Sequence, residues 1–136
     1  MKLTLGQVER LFAALTALDG RTIINEKGQQ ELVEVYEYPI KGTRLTIATN
    51  ARALRPLVEG LGSEDQGVRN SINAKLKAGE ISMEEAKAEY EAGLVANRKL
   101  EVEVALKTLT VEQLNADANK LPSRHLESLL PIVVES

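Results

Sequence analysis

The sequence predicts an α+β protein, with a small antiparallel sheet packed by helices and a protruding helical hairpin. Three observations carry this. Apolar residues recur at helical spacing along most of the chain, and three of those segments open on capping-box pairs: Thr4/Gln7, Ser82/Glu85 and Thr110/Gln113. Two stretches, 21–38 and 101–109, are instead β-branched or alternate apolar with charged residues. The stretch 64–98 keeps helical spacing but has only a narrow apolar side. A length of 136 residues suits one domain, with 64–98 as an insertion in it.

In chain order, Leu3 and Val8 stand at hydrophobic-staple positions around the Thr4 cap. Val8, Leu11, Phe12, Leu15 and Leu18 continue one helical face, which Gly20 ends. Residues 21–25 and 31–38 form a β-hairpin around Glu26-Lys27-Gly28, closed by Pro39, which has no N–H for a ladder. Ile47, Ala51, Leu54, Val58 and Leu61 predict a helix over 43–61, bent at Pro56; a third strand at 44–48 competes, since Thr46, Ile47 and Thr49 favour extended backbone. Ser63 and Asp65 are good caps for a further helix through Val68, Ile72 and Leu76. Ser82 opens its partner, with Met83, Ala86, Tyr90 and Leu94 inward, and the hinge lies at Ala78-Gly79-Glu80. Glu101–Leu109 alternates as a strand with one buried face and extends the 21–38 hairpin to three strands. A short helix follows over 111–118. The last starts at Leu121-Pro122-Ser123, with Leu126, Leu129, Leu130 and Val133 inward and Pro131 distorting it.

Composition narrows the function. There is no Cys or Trp and a single His, His125, so the side chains of nucleophilic, thiolate-metal and acid–base chemistry are scarce. With Phe12, Tyr36, Tyr38 and Tyr90 as its aromatics, the chain has an aliphatic core and little to stack on single-stranded nucleic acid. A net charge of −3 speaks against direct nucleic-acid binding. No apolar run reaches a membrane span, and Gln7, Glu9 and Arg10 interrupt any signal-peptide core, so a cytoplasmic protein is expected. Glu59-Gly60-Leu61-Gly62 lacks the Lys and the third Gly of phosphate-binding loops. No cofactor or metal is expected.

The sequence signals that remain are surfaces. Lys41, Arg44, Arg52 and Arg55 have no acid between them and fall within roughly 80° of one another on a helix. Such a stripe could hold an acidic partner segment, or it could be a solvated face paired with nearby glutamates. Glu84, Glu85, Glu89 and Glu91 cluster at the start of a helix, where they favour its dipole and solvate it; only a hard cation would suit them as a metal site. Tyr90 lies among them. His125, one residue before Leu126, is placed on the solvent side.

The order of elements resembles a group of small bacteriophage proteins of unassigned function. The parts are the Leu-rich helix Leu3–Leu18, the Tyr-containing and basic segment Tyr36–Leu57, the polar helical middle Ser63–Arg98, the Glu/Val strand Leu100–Leu109 and the Leu/Pro closing segment Leu121–Glu135. The likeness is one of pattern, and the hairpin over 21–35 departs from it. It implies a non-enzymatic accessory protein in the host cytoplasm that binds and inhibits or modulates a host protein or ribonucleoprotein complex, either a defence system such as a CRISPR effector or the transcription machinery. Lys41, Arg44, Arg52 and Arg55, with Glu84, Glu85, Glu89 and Tyr90, are the residues expected to meet the partner. A homo-oligomeric virion assembly or chaperone protein is the alternative, and a homodimer fits both.

Overall fold

The computed structural model describes residues 1–135, apart from the side chains of residues 21–23 and 32–34. The β-branched Thr22, Ile23 and Val33 that signal the first hairpin therefore lie outside the described side chains.

A short strand, β1 (Lys2–Thr4), runs straight into α1 (Leu5–Leu18). The capping box forms as its spacing demands: Thr4 Oγ1 accepts the Gln7 N–H at 3.1 Å, and Gln7 Oε1 accepts the Thr4 N–H at 2.9 Å. Val8, Leu11, Leu15 and Leu18 are completely buried, so the predicted stripe is the face α1 turns to the core. Gly20 leaves the helix at φ +103°, a left-handed conformation that residues with a Cβ avoid.

β2 (Arg21–Ile24) and β3 (Gln30–Glu34) pair antiparallel as expected. Asn25 organises the turn: its Oδ1 accepts the N–H groups of Lys27 and Gln29, and Gly28 takes φ +74°. β3 stops four residues short of the predicted end. Beyond it the chain is held by side chains instead of a neighbouring strand. Asn119 grips Glu37 at both its N–H (2.8 Å) and its carbonyl (2.9 Å), and the Tyr38 hydroxyl donates to the Leu18 carbonyl at 2.7 Å. Burial pushes the Tyr38 phenol well above its ordinary pKa, which keeps it the donor.

The expected three-stranded sheet is not formed. The third strand, β4 (Glu101–Glu103), pairs with β1, setting Leu3 opposite Val102. The ladder is extended at both ends, from the Leu5 N–H to the Leu100 carbonyl and from the Val104 N–H to the Met1 carbonyl. Lys2-Leu3-Thr4 is too short to show alternation, so the partner that captures β4 left no sequence signal. A parallel contact joins β5 (Leu109–Thr110) to β6 (Val133–Val134). The architecture is α+β, and the described residues form three two-stranded pairs in place of one sheet.

The two central helices expected between 43 and 77 are one: α2 (Thr43–Lys77) spans 35 residues, about 50 Å at 1.5 Å per residue. Pro56 lies inside it with its ring exposed, where water can satisfy the carbonyl that loses its N–H partner. Ser63 does not start a helix; its hydroxyl turns back onto the Glu59 carbonyl at 3.3 Å. The distal half of α2 and α3 (Met83–Lys99) form the protruding hairpin, joined through Gly79 at φ +71° and capped by the Ser82/Glu85 box.

The core joins Val8, Leu11, Leu15 and Leu18 of α1 to Ile47 and Leu54 of α2 and to Leu109, Leu114, Leu129 and Ile132 of the C-terminal segment. Asn50, also buried, ties the last two parts together: its side chain accepts the Lys107 N–H (2.9 Å) and donates to the Lys107 carbonyl (2.8 Å). The predicted helix over 111–118 is broken into α4 (Val111–Leu114) and α5 (Ala116–Asn119) by Asn115 at φ +51°. In α6 (Ser123–Leu129) the buried stripe is shifted from the predicted one. His125, Leu129 and then Ile132 point inward, whereas Leu130 is 68 % exposed. His125 is therefore buried, and its placement on the solvent side is overturned. The helix has fewer than two full turns, so its facing is set by Leu121 and Ile132 at its ends and not by its own periodicity.

Candidate functional site

Two places gather residues singled out by the sequence, a basic recess at the base of α2 and a groove on the hairpin, and a third, the junction between them, does not. Among the described residues no helix is long and apolar enough to cross a membrane, and no group of three or more His, Asp or Glu side chains is arranged to hold a metal ion.

The basic stripe is divided. Lys41 precedes the helix, since Gly42 caps α2 at φ +90°, and so it leaves the stripe. Arg44 is committed to the chain's own backbone and ring: its Nη2 donates to the Tyr36 carbonyl at 2.6 Å, and its guanidinium lies 5.1 Å from the centre of the Tyr38 ring. Arg52 and Arg55 remain. They line a recess of about 470 Å³ with Thr16, Asp19, Gly20, Ala48 and Ala51, where the end of α1 crosses the start of α2. Arg55 also stands 5.9 Å from the centre of the Phe12 ring, which holds it in place without neutralising it. Among the described residues neither Arg52 nor Arg55 forms an ion pair.

The acidic cluster also separates. Glu85 is the N3 residue of the capping box, and Glu89 pairs with Lys75 across the hairpin at 3.2 Å. Glu84 points instead into a groove of about 610 Å³ between α2 and α3, lined by Arg69, Ile72, Met83, Ala86, Lys87 and Tyr90 together with Asn73. Tyr90 forms one end. Its hydroxyl accepts from Arg69 Nη2 at 3.0 Å while the guanidinium lies 5.7 Å from the ring centre, and that hydrogen bond raises the Arg69 pKa. Met83 forms the other end and is 74 % exposed. Met83 and Lys87 share a face of α3 at i, i+4 spacing, as its helical reading implies, though Met83 is exposed there and not inward; Arg69 joins them only where α2 crosses α3.

The junction is a polar clamp missed by sequence reasoning. Arg98, in the last turn of α3, grips Glu9 of α1 through Nε (3.1 Å) and Nη2 (3.0 Å) and Asp65 of α2 through Nη1 (3.1 Å) and Nη2 (3.0 Å). Asn97 adds a bond to Asp65 at 3.1 Å. The Arg98 hydrogen bond holds the Asp65 carboxyl below its ordinary value, and Asp65 and Glu9 raise the Arg98 guanidinium. Gly6 permits the approach: a Cβ there would stand 3.3 Å from the Cβ and carbonyl oxygen of Arg98.

Comparison with known protein families, with curated proteins and with solved structures finds no match.

Proposed function

We propose that the protein is a non-enzymatic binding module that works by occlusion, docking an acidic segment of a larger protein complex in the recess at Arg52 and Arg55. The observation that supports this is a pair of adjacent guanidiniums with no ion pair among the described residues, in a concave site built by two well-packed helices. Arginine in such a setting is preorganised for carboxylates, and desolvated arginines are frequent anchors of protein interfaces. The likeness in pattern to small phage proteins points to a host assembly, a defence effector or the transcription machinery, as the class of partner.

The test is affinity capture from bacterial lysate by the tagged chain, in parallel with the double variant Arg52→Glu/Arg55→Glu. A stoichiometric protein complex retained by the native chain and lost by the variant is the expected result. Equal capture by both takes the recess out of the reading. The second reading, a homo-oligomeric assembly or chaperone protein, draws its support from the groove on the hairpin.

A further inference from the structure

We propose that the groove on the α2–α3 hairpin is the docking site for a second copy of this chain, with the two α3 helices antiparallel across a twofold axis. The proposal stands apart from the recess, which lies about 30 Å away along α2 at 1.5 Å per residue from Arg52 to Ile72.

The argument starts from what the hairpin leaves uncovered. Of α3, only Ala86 is buried, while Met83 is 74 % exposed at the edge of an apolar groove floored by Ile72 and Ala86. A large unbranched side chain at the mouth of an apolar trough is both part of the wall and a knob that can fill a matching trough. The rim then decides what the partner is. It carries Glu84 toward the Met83 end and Lys87 and Arg69 toward the Tyr90 end. Among the described residues none of these three forms an ion pair, unlike Lys75 with Glu89 and Arg98 with Glu9 and Asp65. An occupant must therefore offer a base near Met83 and an acid near Tyr90.

A second α3 running antiparallel supplies that order. A twofold axis crossing the helix midway between Glu84 and Lys87 sets Glu84 of each copy level with Lys87 of the other. It also brings Met83 of each copy to within roughly 3 Å, along the axis, of the level of the other's Tyr90. Sulfur then meets the aromatic ring, over the groove floor at Ala86 near the axis. The contact is isologous, with one patch complementary to itself. A dimer built this way carries its two basic recesses at its far ends.

Sedimentation equilibrium of the full chain between about 1 and 100 µM tests the proposal. The native chain is expected to form a reversible dimer. Met83→Glu should weaken it about tenfold or more, with an unchanged helical circular dichroism spectrum because the side chain is exposed in the monomer. Glu84→Lys and Lys87→Glu should each weaken it, since each sets like charges face to face, and the double swap Glu84→Lys/Lys87→Glu should restore it. A monomer throughout this range overturns the proposal. So does a dimer indifferent to Met83→Glu, or a double swap that fails to rescue. Retained recess binding by a monomeric Met83→Glu chain separates this outcome from the function proposed above.

Discussion

The body and the hairpin are both built largely from helices yet hold together in different ways. In the body, α1, the first part of α2 and the C-terminal segment bury one continuous aliphatic cluster that includes Val8, Leu11, Leu15, Leu18, Ile47, Leu54 and Leu129. Along the hairpin the buried side chains are Leu61, Ile72 and Ala86, none of them part of that cluster. What the hairpin lacks in burial it replaces with close backbone approach, capping, cross-helix polar contacts and the Arg98 clamp. A region stabilised by burial has little surface to spare, whereas one stabilised by its ends can leave a whole face uncovered. The difference explains why the open apolar groove lies on the hairpin.

The largest expected effect tests this contrast directly. Leu11→Ala removes a completely buried side chain from the cluster and should cost about 2–5 kcal/mol. Ile72→Ala should cost about 2 kcal/mol or less, because fewer atoms surround the cavity it leaves. Urea denaturation of both variants measures the gap. Equal costs would mean that the hairpin shares the cooperative core, and the contrast would fail.

Next in size is Gly93. A Cβ there would fall 2.6 Å from Val68 Cγ1, so the glycine is what lets α3 lie close against α2. Gly93→Leu should cost about 1–3 kcal/mol by forcing the helices apart. Hydrogen exchange should show the loss of protection confined to residues 61–99, with α1 still protected. Loss spread evenly over both regions would show that they unfold as one unit.

The sequence was most legible where the cause of structure is local. All three capping boxes form at the predicted residues, because the spacing of Thr or Ser and Gln or Glu is itself the mechanism. The α1 stripe and the hairpin hinge at Gly79 follow for the same reason. Most of the errors concern long-range partners, the left-handed Asn115 that divides the helix over 111–118 being a local one. Glu101–Glu103 was recognisable as a strand, but not its pairing with β1, which carries no pattern of its own. Pro56 reads as a bend within a helix and Ser63 as the cap of a new one, and tertiary packing of Ile47, Leu54 and Leu61 carries α2 through both. His125 was misplaced because the facing of a seven-residue helix is fixed from outside it. Of the candidate site residues, Arg52 and Arg55 are brought together, Lys41 and Arg44 are drawn elsewhere, and Glu84 and Tyr90 reach the groove while Glu85 and Glu89 serve the hairpin.

The clamp should give the contrast a dependence on pH. The folded Asp65 carboxyl ionises below its ordinary value of 3.8, so it contributes stability above that pH, and the contribution is lost as pH falls through the lower folded value. On acidification, protection at the Glu9–Asp65–Arg98 junction should therefore fall before protection in the aliphatic cluster. Asp65→Asn should abolish that early step, as followed by hydrogen exchange or by backbone amide shifts between about pH 5 and pH 2. An unchanged early step in the variant would assign it to other carboxylates.

The smallest expected effect concerns the recess. Arg52 and Arg55 are exposed and, among the described residues, carry no ion pair whose loss would be felt; Arg55 offers only its stacking on Phe12. Arg52→Glu/Arg55→Glu should thus shift stability by no more than about 0.5 kcal/mol, while reversing the charge that an acidic partner would meet. A larger loss would mean that the guanidiniums hold α2 against the end of α1, and the recess would then belong to the structural side of the comparison. Near-neutral stability combined with lost capture would place it among the surfaces that the aliphatic cluster leaves free, with guanidiniums that act on a partner's carboxylates and not on the fold.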